Sequence, residues 1–179
     1  MSARRWSDQA LSKAAGIRLV VFDIDGVMTD GRLYRSDDGQ EIKAFHSRDG
    51  LGLKALMHNG FTVAVLTARQ SNLVRVRMRE LGIERLIQGR EDKGLAFSEL
   101  LRQAGFESAQ AAYMGDDLVD WPAMLQAGLK ICPADADGWI RERVDHVTQA
   151  AAGRGAAREA CELLLDAHGL LDRWRASFC

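Results

Sequence analysis

The sequence predicts an α/β fold, with a doubly wound parallel sheet flanked by helices. Short apolar runs alternate with segments of helical period, the pattern of strand–helix–strand units. The runs are nearly continuous in Val, Ile, Leu, Phe and Ala, as strands covered on both faces require. The helical segments close in Asn59-Gly60, Leu81-Gly82, Ala104-Gly105 and Ala127-Gly128, pairs suited to helix C-termini.

Residues 1–15 are set apart as an N-terminal extension, either a docked helix or disordered, and 16–179 are expected to form one domain. The first strand covers 18–24 (RLVVFDI). Residues 31–45 then break the alternation: GRLYRSDDGQEIKAF reads as two short strands around Asp38-Gly39, a hairpin signal. A helix is expected at 49–60, a strand at 61–67, a helix at 70–82 and a strand at 85–89. Helix 92–105, strand 111–116, helix 117–128 and strands 129–135 and 145–149 follow. The tail, 151–179, opens with the glycine-rich AAGRGAARE and continues into an amphipathic helix.

Composition excludes several classes. A formal net charge of −1 offers no basic field for nucleic acid. No apolar run is long enough to span a membrane, and the N-terminus has no apolar signal segment. Cys132, Cys161 and Cys179 are far apart and form no CxxC pair. Free thiols in a reducing, cytoplasmic setting follow.

The residues at the strand ends carry the chemistry. The first strand runs into Asp23, Asp25 and Gly26; residues two apart in an extended segment point the same way. Two carboxylates so placed need a cation or a shared proton, unless they are simply an acidic turn. The next long strand ends in Leu66-Thr67-Ala68-Arg69, where a hydroxyl and a guanidinium suit phosphate oxygens; a helix N-cap is the plainer use of Thr67. Lys93 opens a helix against the helix dipole, which leaves room for another role, although a solvated surface lysine is the plainer reading of that residue alone. The fourth strand ends in Gly115-Asp116-Asp117, with Asp120 close behind. These are hard oxygen ligands suited to Mg²⁺, although acids in a first helical turn also satisfy the dipole. Taken in order, the four strand ends make a phosphoryl-transfer site: nucleophile, proton donor, cation, lysine and hydroxyl. No GxxxxGK[ST] is present, so this is not a Walker-type nucleotide site.

The ordered set DIDGVMTDG, LTAR, DK and GDDLVDWPAM resembles the haloacid dehalogenase-like (HAD) phosphohydrolases, which implies their Rossmann-like sheet. More narrowly, KAFHSRDGLGLKAL, YMGDDLVDWPAM and AAGRGAAREACELLL are similar to the family of phosphatases acting on 3-deoxy-D-manno-octulosonate 8-phosphate (Kdo 8-phosphate), over residues 16–170. The resemblance implies that Asp23 attacks phosphorus, forms an aspartyl-phosphate and binds Mg²⁺. It implies that Asp25 is the general acid and base and touches the metal through its backbone carbonyl. Thr67 would hold a phosphate oxygen, Lys93 would neutralise nucleophile and phosphate, and Asp116 would be the other metal carboxylate. Asp117 and Asp120 would orient metal-bound waters or Lys93, or one of them would ligate directly.

For the sugar acid, the resemblance implies the loop His46, Ser47, Arg48, Asp49 and Gly50, together with Arg69, Arg77 and the less securely matched Lys54. Arginines beyond the phosphate pocket suit a substrate with two anionic ends. Two departures stand out: Ala68 replaces a usual glycine, and His46-Ser47 replaces Asn-Val. Too few residues separate Asp25 from Thr67, or Lys93 from Asp116, to hold a cap domain. The family covers its open site by forming a homotetramer. The 31–45 hairpin is then the assembly element, and Arg154 in Gly153-Arg154-Gly155 is a contact to a neighbour's substrate. The expected activity is Mg²⁺-dependent hydrolysis of Kdo 8-phosphate in lipopolysaccharide precursor synthesis. Two alternatives stand beside it: a nine-carbon 2-keto-sugar acid 9-phosphate as substrate, or a non-catalytic, phosphate-accepting regulatory domain.

Overall fold

The structure, a computed structural model, describes residues 6–179; Arg4 and Arg5 of the N-terminal extension lie outside the described residues. The chain runs through α1 (Asp8–Ala14), β1 (Leu19–Phe22), β2 (Tyr34–Arg35), β3 (Glu41–Ile42), α2 (Ser47–His58), β4 (Thr62–Thr67), α3 (Asn72–Leu81) and β5 (Arg85–Gln88). It continues through α4 (Lys93–Ala104), β6 (Ala111–Met114), α5 (Trp121–Met124), β7 (Leu129–Cys132), α6 (Gly138–Arg141), β8 (His146–Val147), α7 (Ala156–Ala167) and α8 (Leu171–Ala176).

Six strands form one sheet in the order β5-β4-β1-β6-β7-β8, and every pairing in it is parallel. The chain builds outward from β1 in one direction through β4 and β5, then returns to build the other side from β6. That reversal opens a crevice beyond the carboxyl end of β1, where ligands bind in sheets of this kind. β1 is buried on both faces. Val20 and Phe22 join residues of α1, α2, α3 and α7, while Leu19 and Val21 join those of α4, α5 and α6. Each such side chain contributes about 1.5–3 kcal/mol of burial, which fixes the strand whose end carries Asp23.

Residues 8–14 form a helix docked on α7: Ala10 and Ala14 are buried, and Trp6 Nε1 donates to Asp166 at 2.8 Å. Two local features depart from the sequence expectation. The helix expected at 117–128 divides into a tight turn at Leu118–Asp120 and the short α5, with Pro122 in its first turn. A further short helix, α6, stands between β7 and β8 and is capped by Asp137.

The hairpin pairs Tyr34 with Ile42 and Arg35 with Glu41, and Gly39 supplies the positive φ of its turn. Its Leu33, Tyr34 and Ile42 face solvent. Asp30 shapes the entry to it, accepting from the Arg32 N–H at 3.1 Å and the Tyr34 hydroxyl at 3.2 Å. Among the described residues no helix is long and apolar enough to cross a membrane.

Candidate active site

Asp23 is the first residue beyond β1. Its N–H donates to the Met114 carbonyl at 3.0 Å, which extends the β1–β6 ladder by one step and sets the carboxylate at the mouth of the crevice. Lys93, the first residue of α4, points back into the same place. Its Nζ lies 2.8 Å from Asp23 Oδ1 and 2.5 Å from Asp120 Oδ1. Asp120 is wholly buried and fully engaged. Its Oδ1 also accepts from the Tyr113 hydroxyl at 2.9 Å, and its Oδ2 accepts from the N–H groups of Asp116 and Asp117 at 3.0 and 3.4 Å. One carboxylate therefore fixes both the lysine and the loop that carries Asp116.

Two glycines make this approach sterically feasible. A Cβ on Gly26, whose φ is +90°, would stand 2.0 Å from Asp116 Oδ2, and one on Gly115 would stand 2.5 Å from Asp120 Cβ.

Negative charge exceeds positive here. Burial, followed by repulsion from Asp120, lifts Asp23 to about 7 against the pull of Lys93. Burial and the neighbouring Asp120, Asp23 and Asp117 lift Asp116 to about 8. Burial works against the Lys93 charge, but Asp23 and Asp120 outweigh it and hold that pKa above the ordinary lysine value. Carboxylate oxygens of Asp23, Asp116 and Asp120 lie within 4.8 Å of one another. Asp23 Oδ1 is buried and, despite its nearness to Lys93, makes no hydrogen bond. An oxygen-rich, under-neutralised cluster of this kind fits a hard divalent cation. Because Asp120 is already committed to Lys93, Tyr113 and two amides, Asp23 and Asp116 are the carboxylates best placed to hold it.

The outer half of the crevice is more open. Asp25 is half-buried, with Oδ1 in contact with Lys43 Nζ and Oδ2 3.9 Å from Arg69 Nε. Arg69 NH2 also pairs with Glu41 Oε1 at 2.5 Å, and Lys43 lies 3.6 Å from the same oxygen. Thr67 ends β4, buried, with Oγ1 accepting from the Arg69 N–H at 3.4 Å. Lys43 was not among the residues singled out from sequence. Its signal was the alternation Glu41, Ile42, Lys43, which sends the two charged side chains to one side of the hairpin and Ile42 to the other.

The residues expected around the sugar acid divide. His46 caps α2, with Nδ1 accepting from the Arg48 N–H at 3.2 Å, and Ser47 and Arg48 are exposed on the first turn. Asp49 is engaged with the start of α7. It is buried, and its Oδ1 accepts from the Arg158 N–H at 2.8 Å. The reason is local: α7 starts at Gly155, which has no side chain to cap it, so α2 supplies the acceptor. Gly50 leaves room for Arg77, whose NH2 would lie 2.6 Å from a Cβ there. Arg77 NH1 pairs with Glu80 at 3.2 Å, and its Nε is buried without a hydrogen bond. Lys54 faces α8, lining a cavity with Leu51, His58, Trp174 and Phe178 that holds none of the strand-end residues. Arg154 is exposed and shares a cavity of about 270 Å³ with Arg48 and Arg158. Asp117 caps its own turn, accepting from the Leu118 N–H at 2.7 Å.

An Asp-x-Asp at the central strand, with Thr, Lys and an acidic loop on the neighbouring strand ends, defines the HAD class of aspartate-based phosphohydrolases. No protein-family model matches the chain. It is 45% identical over 166 residues to 3-deoxy-D-manno-octulosonate 8-phosphate phosphatase KdsC of Escherichia coli K12, a match covering 93% of this chain and 88% of that protein. The crystal structure of the Moraxella catarrhalis 3-deoxy-D-manno-octulosonate 8-phosphate phosphatase, in complex with magnesium, phosphate and KDO, aligns with a TM-score of 0.94 at 39% identity, covering 97% of this chain and all of that one. The cobalt-bound enzyme of Haemophilus influenzae aligns with a TM-score of 0.86 at 43% identity, covering 89% and 93%. The chain belongs to the family of 3-deoxy-D-manno-octulosonate 8-phosphate phosphatases.

Proposed function

We propose that this protein hydrolyses Kdo 8-phosphate to Kdo and inorganic phosphate, with Mg²⁺, in the supply of Kdo for lipopolysaccharide. The observation that carries the chemistry is the Lys93 ammonium set between Asp23 and Asp120 at the end of β1, with Asp25 two residues beyond the nucleophile. The substrate is supported by family membership and by the Arg69 guanidinium beside Asp25.

In this reading an Asp23 oxygen attacks phosphorus while the bond to the sugar oxygen breaks, and Asp25 gives that oxygen its proton. The resulting aspartyl-phosphate is hydrolysed when Asp25 takes a proton from water, the water oxygen bonds to phosphorus, and Asp23 is released. Lys93 offsets charge on Asp23 and on the phosphoryl oxygens throughout, and Thr67 holds one of those oxygens. Mg²⁺, held by Asp23, Asp116 and the Asp25 carbonyl, supplies charge neutralisation for a dianionic phosphate beside buried carboxylates. Asp120 keeps Lys93 and the Asp116 loop in place.

The open crevice is closed by neighbours in a cytoplasmic homotetramer. Exposed Leu33, Tyr34 and Ile42 on the hairpin favour that element as the joint. Ile42→Ser is expected to lower the assembly mass in light scattering while leaving the protomer folded; an unchanged mass would remove the hairpin from the interface.

The deciding experiment compares kcat/KM for Kdo 8-phosphate with that for a nine-carbon 2-keto-sugar acid 9-phosphate, with Mg²⁺ and after chelation. Preference for the eight-carbon ester, many turnovers per protein and loss on chelation are expected. Preference for the nine-carbon ester would reassign the substrate, and capture of one phosphate without turnover would make the protein a regulatory acceptor.

A further inference from the structure

Asp25 has a problem that Asp23 does not. As acid and base it must present one oxygen to the leaving group and later to water, and a carboxylate free to rotate would hold neither oxygen in place. Lys93 is engaged by Asp23 and Asp120. Asp25 instead has a cation of its own.

That cation is Lys43. Its side chain is only 2% exposed, although it leaves the end of a two-residue strand in an otherwise exposed hairpin. Its Nζ contacts Asp25 Oδ1 and lies 3.6 Å from Glu41 Oε1; Glu41 binds Arg69 at 2.5 Å, and Arg69 Nε stands 3.9 Å from Asp25 Oδ2. Two carboxylates and two cations close a ring with no net charge, which limits the cost of holding a lysine out of water. The two Asp25 oxygens are not equivalent in it. Oδ1 is anchored, while Oδ2 lies beyond hydrogen-bond range of Arg69.

We infer that Lys43 is a positioning residue for the reaction proposed above, and the inference rests on that reading: it anchors Asp25 through Oδ1 so that Oδ2 is the oxygen that gives up and takes back the proton. As the phosphorus–ester bond breaks, the Oδ2 proton moves to the departing alcohol, and the carboxylate left behind already faces an ammonium. In the second step Oδ2 takes the proton of the attacking water as the Asp23–phosphorus bond breaks. Because Lys43 comes from the hairpin, the element proposed to join protomers also sets the geometry of proton transfer.

The test uses full-length protein and two esters: Kdo 8-phosphate, whose alcohol must be protonated to leave, and p-nitrophenyl phosphate, whose phenolate leaves without a proton. The rapid first release of nitrophenolate reports Asp23 attack alone. Lys43→Met is expected to lower kcat for the sugar ester about 10- to 100-fold, with KM within about twofold and the nitrophenolate burst rate nearly unchanged. Lys43→Gln, which keeps a donor without the charge, is expected to fall between, and Lys43→Arg to recover most of kcat. Adding Lys43→Met to Asp25→Asn is expected to cost nothing further. A raised KM with intact kcat would make Lys43 a substrate contact and overturn the inference, as would an equal fall in the burst rate or an additive loss in the double variant.

If wild type turns over another alkyl phosphate rather than Kdo 8-phosphate, the substrate reading fails, and the same ratios on that ester still decide Lys43. Melting temperatures give an arm independent of turnover. The shifts of Lys43→Met and Asp25→Asn should fail to add in the double variant, and strict additivity would deny the pair.

Discussion

The two halves of the crevice are built differently. In the inner half, Asp23, Lys93 and Asp120 are nearly sealed, Asp116 stands beside them, and every position hangs on β1, β6 or the start of α4. In the outer half, Asp25, Glu41, Lys43 and Arg69 stand on loops and a short hairpin, and their carboxylates and guanidinium keep contact with solvent. The inner half holds an excess of negative charge that pushes Asp23 and Asp116 upward, whereas the outer ring is balanced. The difference separates two tasks. Holding a cation and a nucleophile calls for rigid, buried, under-neutralised oxygens; exchanging a proton and admitting a sugar calls for reach to water.

The sharpest break is on the inner side. Lys93→Met leaves Asp23 and Asp120 buried without their cation, so stability is expected to fall by about 3–5 kcal/mol in urea denaturation, with phosphatase activity lost as well. Asp25→Asn, on the outer side, is expected to lower kcat about 10²- to 10⁴-fold. Its denaturation midpoint should fall less than that of Lys93→Met, because the Asp25 carboxylate keeps contact with solvent. If both variants lost stability equally, the division between halves would be wrong.

A subtler change separates geometry from charge. Gly26→Ala places a methyl on the Asp116 carboxylate at a backbone angle that side chains avoid, and is expected to cost about 1–3 kcal/mol. It should also weaken Mg²⁺ binding in calorimetric titration. Unaltered Mg²⁺ affinity would argue against Asp116 as a ligand.

The smallest effect lies outside the crevice and serves as a control. Asp145 pairs with Lys13 at 2.6 Å and accepts from the Lys130 N–H at 2.8 Å. Burial would raise its pKa, but these partners outweigh it and hold it below the usual carboxylate value. A depressed folded pKa contributes stability that is present above the unfolded value and is lost as pH falls through the folded one. Asp145→Asn is therefore expected to cost about 1–2 kcal/mol at neutral pH and progressively less below about pH 4, with kcat unchanged. A constant penalty across pH would mean the loss is one of packing.

Much of this was legible in the chain. Apolar runs marked the inner strands β1, β4, β6 and β7 because their faces are covered, whereas the edge strands β5 and β8 are only partly buried; the strand-end acids lay close behind. The docking of α1 stayed one of two options in the sequence: Ala10 and Ala14 are too small to stand out in a polar segment, yet their size is what lets the helix lie against α7. The fate of Asp49 was hidden for a related reason. α2 packs on both α7 and the sheet, so its local period does not say that this acid faces a neighbouring helix start rather than the crevice.

By itself the sequence determined which groups meet at the end of β1, because Asp23 and Asp25 follow that strand directly and backbone pleating orients them. Only the tertiary structure decided which cation serves which carboxylate. Lys93 reaches Asp120 across 27 residues of chain, and Lys43 reaches Asp25 across 18. Such pairings are set by how sheet, hairpin and helices pack, since charges select partners by distance and burial rather than by position along the chain.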